Sequence, residues 1–186
     1  MGVKPQMRKR SCQPRFTFIH DPGDPMPIGR FIAMVSFLVW RRSDGKYLLL
    51  RRSPNKDFAA GEWETGSGRL DQGEGFAEAV LRESREELGV DLRIECILGT
   101  SHFYRGEPTP ENDMVGVGFG CSIPDESGLY ISAEHSEHRW MTSAEASEFL
   151  PTGHWLARLI QRAELFRQHM PEELHQLHWD GRFETH

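Results

Sequence analysis

The chain has 186 residues, 38% hydrophobic and 27% charged, with a net charge of −6. That length and balance suit one soluble globular domain with extensions, and the acidic total argues against the broad basic face by which proteins grip nucleic acid polymers. The longest apolar stretch, 31–40, lies between Arg30 and Arg41 and is about half the length that crosses a bilayer, so no membrane anchor is expected.

The first fifteen residues are basic, but no apolar core and small-residue cleavage site follow them, so they do not read as a secretory signal. Cys12, Cys96 and Cys121 are odd in number and widely spaced, which suggests neither a disulfide framework nor a thiolate zinc site. A cytoplasmic protein is expected.

Residues 1–29 are basic and proline-rich, with Pro22, Pro25 and Pro27 close together, and read as an arm before the core. Two apolar, β-prone runs between 30 and 52 flank Ser43-Asp44-Gly45, a turn sequence that predicts a β-hairpin. A glycine-punctuated loop is expected over 53–73, carrying Trp63 and a turn at Thr65-Gly66-Ser67-Gly68. A helix should span 75–88 and stop at Gly89. Strands are expected near 92–104, 113–123 and 137–141. Thr142 and Glu145 resemble a capping box opening a short helix to about residue 150. A longer helix over 152–170 should pack through Trp155, Leu159, Ala163 and Phe166. Residues 30–170 would form one domain, with 171–186 a tail of no clear pattern.

The predicted helix at 75–88 carries the chemistry. At about 100° per residue, Glu83, Glu86 and Glu87 share one arc, and Ala77, Leu81, Ser84 and Leu88 form a second stripe for packing against the sheet. A charged helix is ordinarily a solvated, salt-bridged surface, for which Arg82 and Arg85 would suffice. Yet three helix-borne carboxylates also provide the oxygen ligands that Mg²⁺ and Mn²⁺ prefer, at separations a helix fixes.

Residues Gly68 to Val90, GRLDQGEGFAEAVLRESREELGV, resemble the signature of the Nudix hydrolases: Gly, five residues, Glu, seven residues, then Arg-Glu-hydrophobic-any-Glu-Glu-any-Gly-hydrophobic. Gly68, Glu74, Arg82, Glu83, Glu86, Glu87, Gly89 and Val90 match in register. Seven fixed identities arise at a given start with a chance on the order of 10⁻⁸ to 10⁻⁹. Ser84 stands at a hydrophobic position, where some packing should be lost, and Gly66-Ser67-Gly68 replaces the common Pro-Gly-Gly.

The resemblance implies an α/β fold, a mixed sheet sandwiched between helices, and metal-dependent (Mg²⁺ or Mn²⁺) attack of water on a diphosphate linkage. It implies Gly68 (through its carbonyl), Glu83, Glu86 and Glu87 as metal ligands, with Glu74 and Arg82 in support. The family often recruits another acid shortly before a strand tryptophan; Glu134 is favoured over Glu137, both preceding Trp140. The general base is Glu83 or Glu134. The implied partner is a small nucleoside diphosphate derivative, either a nucleoside triphosphate or a nucleotide sugar, and a homodimer is compatible with the family. The alternative is the same fold sensing a nucleotide without turnover. Isopentenyl diphosphate isomerases share the fold but use a cysteine, and none lies near the box.

Outside the box, Arg51, Arg52 and Lys56 are candidates for phosphate contacts, or else solvated charges. Trp63, Phe103 and Tyr104 are candidates for stacking on a base, or else packing residues. His135 and His138 have a zinc-like spacing but no organised partner cluster, so a zinc site is not expected.

Overall fold

The computed structural model describes residues 30–171 and 173–174. The expected arm at 1–29 and most of the tail lie outside them. The chain order is β1 (Ile32–Arg41), β2 (Tyr47–Arg52), β3 (Trp63–Glu64), β4 (Gly66–Arg69), α1 (Phe76–Leu88), β5 (Arg93–Tyr104), β6 (Asp113–Ile123), β7 (His135–Met141), α2 (Ser143–Phe149) and α3 (Trp155–His169).

The hairpin forms where Asp44-Gly45 predicts it, with Gly45 at φ 72° and its N–H donating to the Arg41 carbonyl. Its strands part at once, because the two pair only at Trp40 and Tyr47. β1 turns to β4 on one side and runs parallel to β6 on the other, β6 pairs antiparallel with β5, and β2 pairs with β3 and β7. The result is one mixed sheet of seven strands.

Both faces of this sheet are covered, which explains why β1 and β2 read as continuous apolar runs rather than alternating ones. Val35, Phe37, Val39, Leu48 and Leu50 point to one side and pack with Ala79, Val80 and Leu88 of α1. Leu38, Trp40, Tyr47 and Leu49 point to the other, against Ala146 of α2 and Leu156, Ile160 and Ala163 of α3. The Thr142–Glu145 capping box is present, with Glu145 N–H donating to the Thr142 hydroxyl and Thr142 N–H to the Glu145 carboxylate.

Three details differ from the sequence reading. The packing stripe of α3 is turned by about one residue: Leu156, Ile160 and Ala163 are buried, while Trp155 is 46% and Phe166 36% exposed. On α1 the acidic and packing faces overlap, since Glu87 is only 5% exposed and lies in line with Val80 and Ser84, whereas Ala77 and Leu81 are half-buried. Gly66-Ser67-Gly68 is not a turn but the body of β4, paired with Phe37, Ser36 and Val35 of β1. Its glycines serve close approach instead of positive φ: a Cβ at Gly66 would fall 2.1 Å from the Phe37 ring. Among the described residues no helix is long and apolar enough to cross a membrane.

Candidate functional site

The segment 68–90 folds as a strand, a loop and a helix closed on themselves by Arg82. Its Nε and one Nη donate to the two Glu74 oxygens at 2.8 and 2.9 Å, and the same Nη reaches the Arg69 carbonyl at 2.9 Å. The other Nη donates to Glu83 at 2.8 Å and, more distantly, to Glu86 at 3.4 Å. Glu74 also accepts the Asp71 N–H, and these bonds, the arginine's foremost, hold its carboxyl below the usual range. The helix stops at Gly89, in the left-handed region at φ 69°. Ser84 costs no unsatisfied polarity: it is fully buried, and its hydroxyl is 3.0 and 3.1 Å from the Leu81 and Val90 carbonyls.

The carboxylates of α1 sit in three different settings. Glu86 is exposed. Glu83 lies directly over β4, where a Cβ on Gly68 would be 1.8 Å from its carboxyl carbon. Burial raises its pKa, the Arg82 bonds oppose this, and the charges of Glu86 and Glu134 raise it further. Glu87 is the most confined: burial holds its pKa well above normal, against one N–H from Ser67 at 3.2 Å, and Glu83, Glu134 and Glu64 add repulsion. A buried carboxylate with one donor and three acidic neighbours lacks a counter-charge.

Glu134 reaches this cluster from the β6–β7 connection. Tyr130 N–H donates to the Leu88 carbonyl and Ser132 N–H to that of Glu87, and the Glu134 carbonyl accepts from Ser53 N–H. Lys56 pairs with the Glu134 carboxylate at 2.9 Å. Glu137 instead pairs with Arg51 and Arg139, whereas the charge of Glu134 raises the pKa of Glu83 and Glu87.

Beside the cluster is a cavity of about 700 Å³, bordered by Glu64 and Ser67 on the glutamate side, with Trp63, Phe58 and Phe103 among its walls. Phe58 and Phe103 stack with centroids 6.2 Å apart, and Trp63 also meets Phe149 edge-on, so it is both packing and wall. Tyr104 does not line the cavity; it is exposed and meets His102, because successive strand residues face opposite ways and Phe103 takes the inner position. Arg51 is directed to the Gly61 carbonyl and Glu137, and Arg52 to the Phe58 carbonyl and Glu64. Neither arginine borders the cavity. Their partners are protein atoms. His135 is buried with Nε2 3.2 Å from Glu64, while His138 is exposed, so the two do not form a zinc pair. The sequence reading did not single out Glu64, Phe58 or the α3 residues His154, Arg158 and Arg162 that border the cavity; the one-residue turn of α3 would have exposed the last three.

A family model described as NUDIX domain matches residues 32–163. Among curated proteins, the chain is similar to an octanoyltransferase of Myxococcus xanthus, 32% identical over 111 residues, 60% of this chain and 30% of that protein. It is also similar to a CTP pyrophosphohydrolase of Escherichia coli K12, 27% identical over 120 residues, 64% of this chain and 82% of that protein. The chain thus spans less than a third of the first relative's length. Among solved structures, a MutT protein from Methanosarcina mazei Go1 shares the fold with a TM-score of 0.61 at 24% identity, covering 76% of this chain and 99% of that one. The family match spans most of the chain and takes in the whole strand, loop and glutamate helix, and the chain belongs to the Nudix family.

Proposed function

We propose that this Nudix protein is a pyrophosphohydrolase, dependent on Mg²⁺ or Mn²⁺, that cleaves the diphosphate linkage of a nucleoside triphosphate or nucleotide sugar. The observation that carries the reading is Glu87: a buried carboxylate with raised pKa, crowded by Glu83, Glu134 and Glu64, and bonded to the N–H of Ser67, which borders a cavity large enough for a nucleotide. Such a site is deficient in positive charge, and a divalent cation is the usual remedy when every donor is oxygen.

The donor set fits that ion in chemistry. Glu83, Glu86, Glu87 and the Gly68 carbonyl would hold it, all hard oxygens, and Gly68 lets the Glu83 carboxylate lie against the strand. Among the described residues no three acidic, His or Cys side chains already converge on one point, since Arg82 draws Glu83 and Glu86 to itself and Glu87 turns to Ser67. When bound, the ion would neutralise charge on the phosphates and acidify a water. Arg82, anchored by Glu74, positions the Glu83 carboxylate. Glu83 or Glu134 would accept the proton of the attacking water. Lys56 is a cation at the edge of the cluster that can exchange Glu134 for a phosphate oxygen.

The test is release of phosphate or diphosphate from nucleoside triphosphates, nucleotide sugars and dinucleoside polyphosphates, with Mg²⁺, Mn²⁺ or chelator. Turnover that requires metal and is lost in Glu83→Gln and Glu87→Gln is expected. Undiminished turnover in either variant refutes the site, and metal binding without turnover of any substrate moves the assignment to a nucleotide sensor. The pH profile of Glu134→Gln tests which of the two accepts the proton: loss of the acidic limb assigns the role to Glu134, and an unchanged profile leaves it with Glu83.

A further inference from the structure

Strand β7 carries one more residue than its partner β2 can match. Leu50 pairs with His138 and Arg51 with Glu137, but Arg52 pairs with His135, so Ser136 is an extra residue, a β-bulge. Strand residues alternate between faces, and a shift of one exchanges them. Leu50 packs on the α1 side of the sheet, and Arg52, two positions on, shares that side. The bulge therefore turns His135 to the α1 side, where unbroken pairing would set Ser136 opposite Arg52 and send His135 to the other face.

What His135 meets there is Glu64. That residue pairs with Leu50 across β2 and β3, so its carboxylate stands on the same side, and it takes Arg52 Nη1 at 3.0 Å and His135 Nε2 at 3.2 Å. An ionised carboxylate only accepts, so Nε2 carries the proton of this bond. The His135 side chain is 1% exposed, and its Nδ1 is buried with no hydrogen-bond partner among the described residues. Among those residues the bond to Glu64 alone orients the ring.

Glu134 is the residue beside this ring. Its carbonyl accepts the Ser53 N–H at 2.8 Å, and the charge of its side chain raises the pKa of both Glu83 and Glu87. We propose that His135 is a positioning residue for the reaction: by bonding Glu64 it locks the bulge at Ser136 and so holds Glu134 against the glutamates of α1. The bulge aims the acid, and the buried imidazole sets the bulge. The inference rests on the reading above that places Glu134 among the groups of the reaction.

The experiment combines amide hydrogen exchange with steady-state kinetics in Mg²⁺ on the full chain, in His135→Leu, His135→Gln, Glu134→Gln and the double variant His135→Leu with Glu134→Gln. Glutamine offers an N–H close to the place of Nε2, and leucine offers none. In His135→Leu the Ser53 amide should lose about 10-fold or more of its protection while the amides of β1 keep theirs. There kcat should fall on the order of 10- to 100-fold with KM within about threefold of wild type. His135→Gln should recover most of both losses. The double variant should be no slower than the slower of its two parents, since residues acting through one group do not lose rate twice. Unchanged Ser53 exchange in His135→Leu, losses that multiply in the double variant, or no recovery in His135→Gln overturns the proposal. Glu134→Gln at the wild-type rate would instead remove Glu134 from the chemistry, and the lock would then stand or fall on Ser53 exchange alone.

Discussion

Replacing Gly68 by alanine adds one methyl group at the point where the glutamate helix touches β4. That Cβ would lie 1.8 Å from the Glu83 carboxyl carbon and 1.9 Å from its Oε1. Contacts below 3.0 Å do not persist, so the carboxylate must retreat by at least about 1.2 Å, whereas the strand backbone, which is not in the left-handed region, accepts alanine without strain. A misplacement of about 1 Å in a catalytic group costs on the order of 100-fold, equivalent to about 2.7 kcal/mol of transition-state stabilisation. The assay is kcat/KM on the best substrate of the panel at saturating Mg²⁺, with thermal unfolding measured beside it. We expect kcat/KM to fall by about 100-fold with Tm changed by only a few degrees. Gly66→Ala is the internal contrast, because its Cβ would meet the fully buried Phe37 ring; overpacking there should cost about 1–3 kcal/mol of stability and act on Tm first. A Gly68→Ala enzyme within about threefold of wild type would refute the placement of Glu83 in the chemistry.

Further outcomes follow from the same geometry. Glu87→Gln should abolish turnover yet raise the Tm of the metal-free protein, since it removes a buried charge. The folded pKa of Glu87 lies above its unfolded value, so ionisation opposes folding; the Tm gain should be absent below about pH 4.5, where both states are protonated, grow as pH rises towards the folded pKa, and level off above it. A variant less stable than wild type at pH 7 would contradict this. Gly89→Ala should lower stability by about 1–2 kcal/mol from its left-handed φ alone, or roughly 2–8 °C in Tm, and more as its Cβ meets the Tyr130 ring at 2.1 Å; an unchanged Tm would argue against that helix end. Cys96 is buried with its thiol pushed up to about 12, and Cys121 is raised by complete burial. Neither should be alkylated in the native protein at pH 8, as peptide mapping would show, and rapid labelling of either would refute their burial.

The elements legible in the sequence were those with strong local chemistry. Asp44-Gly45 announced the turn, Gly89 the end of α1, and the Thr142–Glu145 pair the start of α2. What local pattern could not reveal was which strands part company: nothing in β1 and β2 says that they pair at a single position before joining different neighbours. Glycine proved ambiguous for the same reason. At Gly66 and Gly68 it makes room for Phe37 and Glu83, contacts made by residues about thirty and fifteen positions away, so a turn and a tight strand look alike. Within the site, helical spacing grouped the three glutamates of α1, but only packing distinguishes buried Glu87 from exposed Glu86. The preference for Glu134 over Glu137 rests on the family pattern; only the folded chain brings the charge of Glu134 to bear on Glu83 and Glu87. Arg51 and Arg52 looked like free cations because their partners, Glu137 and Glu64, are distant in the chain or lie on another strand.

The last carbonyls of α1 do more than finish a helix. Those of Glu87 and Leu88 receive the N–H groups of Ser132 and Tyr130, and Ser132 in turn accepts the N–H groups of His135, at its carbonyl, and Glu134, at its hydroxyl. Glu134 is therefore measured off from the glutamate helix by a ruler only a few residues long, with its carbonyl pinned to Ser53 where the following strand begins. Chain inserted between Ile123 and Leu129 would be absorbed outside that ruler and leave the acid where it is. A single residue inserted between Ser132 and Glu134 would slide the acid along the ruler and uncouple it from a helix whose own sequence had not changed.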